Sequence, residues 1–178
     1  MLKEYNYEYD DEAGRAAFSI LLLSPNVYGV GKTHLVCALA NKIVETAEPA
    51  RLTRSLYIQK YRCPVYFITE AKLLSRIRDT YNKKDGETEE EIYTTLQAYQ
   101  LLIIDDVGKV RPRDYSFLQG VYFRIIDDRY TNEIPIILTT NLDANELEAH
   151  IGGASADRLR EMFGKEGFII LKGQSYRR

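Results

Sequence analysis

Residues 24–35 read SPNVYGVGKTHL, and the fold turns on this stretch. Gly31-Lys32-Thr33 closes a pattern of the G-x-x-x-x-G-K-[ST] type, a loop that wraps phosphate oxygens in backbone N–H groups. Counting back from Gly31, the first glycine of that pattern falls at position 26, where this chain has Asn26. Asn tolerates left-handed backbone better than any residue except Gly, so the loop stays feasible. Pro25 stiffens the turn before it. A phosphate site also needs a helix N-terminus, a cation and a metal ligand. The apolar run FSILLL (18–23) leads in as a strand, and KTHLVCALANKIVETA (32–47) leads out with helical spacing at Leu35, Leu39, Ile43 and Val44. Gly29 and Gly31 permit close backbone approach, Lys32 can reach β- and γ-phosphates, and Thr33 can place its hydroxyl on Mg²⁺. Tyr28, Val30 and His34 complete the stretch that would line a nucleotide. The alternative is a glycine-rich strand-to-helix turn with a surface lysine.

Further along, short apolar runs alternate with amphipathic stretches. PVYFIT (64–69), LLIIDD (101–106), IPIILTT (134–140) and FIILKG (168–173) read as strands. EAKLLSRIRDTY (70–81), YSFLQGVYFRIIDDRY (115–130), DANELEAHI (143–151) and ADRLREMF (156–163) read as helices. Between them NKKDGETEEE (82–91) is a charged turn, where Gly86 breaks one helix and Thr88 with Glu91 forms a capping box for the next. Alternating strands and helices predict parallel β-α-β units and a three-layer α/β/α architecture with a five-stranded parallel sheet. Residues 48–63, EPARLTRSLYIQKYRC, fit no element cleanly and read as an insertion, a short strand or an exposed loop.

Three later stretches bear on chemistry. LLIIDD puts two carboxylates at a strand end, as a Walker-B element does. Asp105 would hold Mg²⁺ and Asp106 would orient or deprotonate an attacking water; the alternative is a solvated acidic strand end. LTTN ends in Asn141, which either contacts that water or the γ-phosphate, or caps the helix that follows. In GGASADRLREMF, Arg158 lies near a helix start and Arg160 follows it; either could stabilise a neighbouring subunit's γ-phosphate, Arg158 being the stronger candidate, or form a surface salt bridge.

Composition bounds these readings. A chain of 178 residues suits one domain, 1–178, and can bury roughly 70% of its unfolded surface. The net charge of −2 argues against coating nucleic acid through bulk charge but leaves room for a local basic patch. Cys37 and Cys63 lack metal spacing and read as reduced thiols of a cytoplasmic protein, with a disulfide left open. The N-terminus is polar and acidic, unlike a signal peptide, and no apolar run approaches the roughly 18 residues of a membrane helix.

GVGKTHL, VYFITEAKLLSRIRDTY, LLIIDDVGKVR, LTTN and ADRLREM with the terminal KGQSYR stand in the order seen in AAA+ ATPases. The set resembles bacterial replicative helicase loaders of the DnaC/DnaI type and the related IstB-type transposition helper ATPases, over about residues 15–178. The resemblance implies ATP hydrolysis with ATP/ADP and Mg²⁺ bound between subunits, self-association into rings or spirals, and single-stranded DNA along the inner surface; Asp106, one methylene shorter than Glu, points to slow turnover. It implies a DnaB-type helicase as partner, Lys32, Asp106, Asn141 and Arg158 as the catalytic set, and Thr33 with Asp105 as the metal ligands. Residues 70–98 suit the extra helical element of initiators and loaders. Asn26 and Asp106 depart from the usual Gly and Glu. The chain stops soon after the fifth strand, which leaves no room for a helical lid, and only a lead-in of residues 1–17 precedes the first, which weakens the helicase expectation.

Basic and aromatic groups suggest three DNA-facing sets. They are Lys72, Arg76, Arg78, Lys83 and Lys84; Arg51, Arg54, Lys60 and Arg62 with Tyr57 and Tyr61; and Lys109, Arg111 and Arg113. Tyr5 and Tyr7 are candidates for adenine contact. The competing readings are a transposition helper ATPase, a nucleotide-binding switch with negligible turnover, and an adaptor with a degenerate loop.

Overall fold

The structure, a computed structural model, describes residues 19–46, 63–81 and 86–176. Residues 48–62 of the insertion-like segment, the second basic set, Lys83, Lys84, Tyr5 and Tyr7 all lie outside the described residues. Five strands form one parallel sheet: β1 (Ile20–Leu23), β2 (Val65–Thr69), β3 (Leu101–Val107), β4 (Ile136–Thr140) and β5 (Phe168–Ile170). Their spatial order is β2-β3-β4-β1-β5. Six helices connect them: α1 (Lys32–Thr46), α2 (Glu70–Thr80), α3 (Glu89–Ala98), α4 (Ser116–Thr131), α5 (Ala144–Ile151) and α6 (Gly153–Phe163). This is the three-layer P-loop architecture that the alternation of elements predicts.

Strand side chains alternate between faces, and each face has its own core. Leu22, Leu101, Ile103 and Ile137 pack with Val65 and with Val36 of α1. Leu21, Leu23, Leu102, Ile104, Ile136 and Leu138 face the larger cluster, to which α2 through α6 all contribute. The layers are therefore unequal, with one described helix on the first face and five on the second. Val36 is the fully buried residue of α1, whereas Val44, expected on its apolar face, is exposed.

Helix ends follow local chemistry. Thr88 and Glu91 form the expected capping box at α3, and Asp143 with Glu146 forms a second one at α5. Asp143, not Asn141, thus caps α5. Helix α6 begins at Gly153, three residues before the predicted start, because Gly152 turns the chain at φ +89.

Arg129 of α4 is buried and has no carboxylate beside it among the described contacts. Its guanidinium donates to Pro135 O at 2.8 Å and to Leu96 O and Tyr99 O at 2.7 and 3.0 Å. The last two are orphan carbonyls at the C-terminal end of α3, where a cation is favourable. Burial pushes the guanidinium down to about 9, so it stays charged at neutral pH. Arg129→Met should cost about 3 kcal/mol, since three carbonyls, that of Leu96 in a buried contact, lose a charged donor and only part of that loss is offset by removing a buried charge. A urea-unfolding midpoint equal to that of the parent protein would contradict this.

Candidate nucleotide site

The loop between β1 and α1 sits at the point where the strand order reverses, the crevice position of open α/β sheets. Asn26 adopts φ +58, the left-handed conformation that the pattern demands of its first glycine. Gly29 and Gly31 take φ +75 and +93. Asn26 N donates to Asn141 O at 3.2 Å, and Tyr176 N donates to Gly29 O at 3.0 Å. The loop is therefore tied on one side to the end of β4 and on the other to the chain beyond β5. Tyr28 is largely exposed and His34 is exposed, while Val30 is buried.

β1 and β4 are neighbours, with Leu23 opposite Thr140, so Asn141 lies beside the loop. Lys32, only 6% exposed, directs its ammonium to Ser24 Oγ at 2.5 Å and to Asn141 Oδ1. Ser24 Oγ also lies 2.7 Å from Val27 O and 3.1 Å from Asn141 Oδ1. This joins the loop lysine to the residue expected to sense the γ-phosphate.

A second junction lies at the end of β3. Thr33 Oγ1 donates to Asp105 Oδ2 at 2.9 Å, and Thr139 Oγ1 donates to Asp105 Oδ1 at 2.5 Å. A hydroxyl and a carboxylate in contact, on oxygen ligands, suit Mg²⁺, which takes few protein ligands and keeps several waters. Asp106 sits in a bulge where the β3–β4 register shifts, at φ +62. Its backbone N–H donates to Thr139 Oγ1 at 2.9 Å, and its carboxylate pairs with Lys109. Thr139 stands beside the end of β3, as expected of the polar ending of the LTTN strand, whereas Ser24 is a supporting group that motif reading passes over. The only signal for Ser24 is a polar residue at a strand end.

Arg158 lies elsewhere, on the outer surface of α6. It pairs with Asp127 at 2.9 Å and lies over the Phe123 ring at 4.9 Å. In the single chain it therefore takes the surface ion-pair form, and Arg160 pairs with Glu148. Among the proposed DNA groups, Arg76 is committed to Glu87 at 2.7 Å and to Tyr66 Oη at 2.5 Å. The Glu87 carboxylate, first, holds the Arg76 guanidinium above its ordinary range. Arg76 is thus neutralised locally rather than offered to phosphate, because α2 and the segment before α3 lie side by side.

Comparison with known proteins agrees with this geometry. The chain is 27% identical over 175 residues to the replicative helicase loader DnaC of Escherichia coli strain K12, covering 98% of this chain and 61% of the relative. It therefore spans somewhat under two thirds of that relative's length. A crystal structure of the DnaC helicase loader superposes with TM-score 0.64 at 22% identity, covering 87% of this chain and 78% of that one. AMPPCP-bound DnaA from Aquifex aeolicus superposes with TM-score 0.65 at 18% identity, covering 88% and 41%. No described helix is long and apolar enough to cross a membrane. The family of IstB-like ATP binding proteins matches residues 14–178, nearly all of the sequence, and the chain belongs to it.

Proposed function

We propose that this chain binds ATP with Mg²⁺ at the β1–α1 loop and hydrolyses it, acting in DNA replication as a helicase-loader-like factor. The observation that carries this reading is the meeting of Lys32 with Asn141 and of Thr33 with Asp105 at one end of the sheet. The loop N–H groups and Lys32 would hold the phosphates. Mg²⁺, held by Thr33 and Asp105, would neutralise charge on the β- and γ-phosphates. Asp106 would take the proton of the attacking water, which requires its carboxylate to leave Lys109, and Asn141 would orient that water. Arg158 would leave Asp127 to reach the site of an adjacent copy, with ATP between subunits of a ring or spiral. Likeness to a replicative helicase loader supports a DnaB-type helicase as partner and a cytoplasmic location. Arg111 and Arg113, on the loop after β3, suit single-stranded DNA, and Lys109 would join them once it leaves Asp106. Residues 70–98 would form the loader-type helical element within one ATPase domain.

Arg158→Ala should lower turnover by about 10³-fold with ATP affinity preserved. Turnover per chain should rise with protein concentration and change on adding single-stranded DNA. Turnover strictly proportional to concentration and indifferent to Arg158 would contradict the shared site. Two other readings keep a specific observation each. The IstB-like family match favours a transposition helper ATPase. The Asp106–Lys109 pair favours a nucleotide-binding switch with negligible turnover.

A further inference from the structure

Glu70, the first residue of α2, is fully buried. In sequence it looks like an ordinary acidic residue at a helix N-terminus. Its carboxylate instead gathers four donors from three other parts of the chain. Oε2 accepts from the N–H groups of Gly108 at 3.0 Å and Val110 at 3.1 Å. Oε1 accepts from Tyr122 Oη at 2.8 Å and lies 2.7 Å from His150 Nε2. Burial first, and the Glu70 charge second, push the Tyr122 phenol well above its ordinary range, so it remains a donor. A carboxylate removed from water is tolerable only when fully engaged in this way.

What is joined matters more than the joining. Gly108 and Val110 follow Asp106 by two and four residues. Gly108, at φ +92, lies so close to Leu142 that an added Cβ would stand 2.4 Å from its Cδ1. Leu142 directly follows Asn141. His150 is in the last turn of α5, just ahead of Gly152 and α6, which carries Arg158. Tyr122 lies on α4 one residue from Phe123, the ring beneath Arg158.

We propose that Glu70 is a positioning residue that fixes the Asp106 loop and the α5–α6 unit bearing Arg158 in one register. This rests on the hydrolytic reading above. Gln at position 70 has a single accepting oxygen for donors that now use two, so one half of the hub must open. Tyr122→Phe keeps shape and removes one donor.

The test uses the whole chain and three readouts: affinity for a fluorescent ATP analogue, steady-state ATP turnover, and hydrogen exchange at the Gly108 and Val110 amides. Glu70→Gln should lower kcat about tenfold and Tyr122→Phe about threefold, the scale of one buried hydrogen bond, with ATP affinity within about threefold of the parent. Exchange at both amides should quicken in both variants. If Glu70→Gln does not fold, Tyr122→Phe carries the test. A folded variant with parental kcat overturns the proposal, as does a kcat loss without faster exchange. Parallel loss of kcat and affinity marks a purely structural role and also overturns it. If the parent itself hydrolyses no ATP, the hydrolytic reading fails separately, and exchange at Gly108 and Val110 then decides for or against the hub.

Discussion

Lys32→Ala is expected to lower ATP turnover roughly 10²–10³-fold, the cost of losing one preorganised group at developing charge, and to leave the fold at least as stable as before. The two halves of this expectation have different causes. The ammonium is 6% exposed at the first residue of α1, where it would meet phosphate oxygens with little competing water. Holding a buried cation costs desolvation, which Ser24 and Asn141 offset in part. Ser24 Oγ, with one proton to give, keeps Val27 O or Asn141 Oδ1 as its acceptor after the substitution. Truncation removes the desolvation cost of the buried ammonium. Thermal unfolding with and without ATP checks both halves. Ligand at 100 times its Kd should stabilise the parent by about 2.7 kcal/mol, and the variant should show almost none of that shift. A preserved ATP shift would remove Lys32 from the phosphate site. A large loss of stability without ATP would show that its contacts are structural instead.

Gly167→Ala should be the most damaging single substitution for stability among the described glycines. A Cβ there would stand 2.2 Å from Ser19 O and 2.5 Å from Phe163 O, with Phe163 Cα at 3.0 Å. These are backbone atoms, so no rotamer change relieves the clash. Gly167 is also a joint: its N–H donates to Phe163 O at 2.9 Å, and its carbonyl accepts from Leu21 N at 2.8 Å. It ties the end of α6 to the start of β1 and sets the entry of β5. Overpacking against backbone on two sides should cost about 3 kcal/mol. For a domain of this size that lowers the melting temperature by roughly 6–12 °C. By comparison, Gly31, Gly120, Gly164 and Gly173 have nothing within 4 Å of such a Cβ. Parental melting in Gly167→Ala would show that β5 and α6 can separate freely, against the packing described here.

The contrast between Asn26 and Glu70 shows what could be read in advance. Asn26 breaks a glycine pattern, yet its backbone tolerance is a property of one residue, and φ +58 follows. The capping boxes at α3 and α5 and the alternating faces of the strands have the same local origin. Glu70 has nothing local to mark it as a hub, since its donors stand 38 to 80 residues away. Arg129 is equally silent in sequence: a cation in the last turn of a helix normally points to water, and here it closes the end of another helix.

Residue by residue, the sequence alone determined the elements, the left-handed loop and the list of groups able to handle phosphate, because backbone preference, periodicity and capping act within a few residues. The tertiary structure decided which of those groups meet. The order β2-β3-β4-β1-β5 sets Asn141 beside Lys32, 109 residues away, and Asp105 beside Thr33, 72 residues away. It also leaves Arg158 on an outer surface against Asp127. Strand order depends on burying two sheet faces together under one set of crossovers, a condition on the whole chain that no short stretch carries.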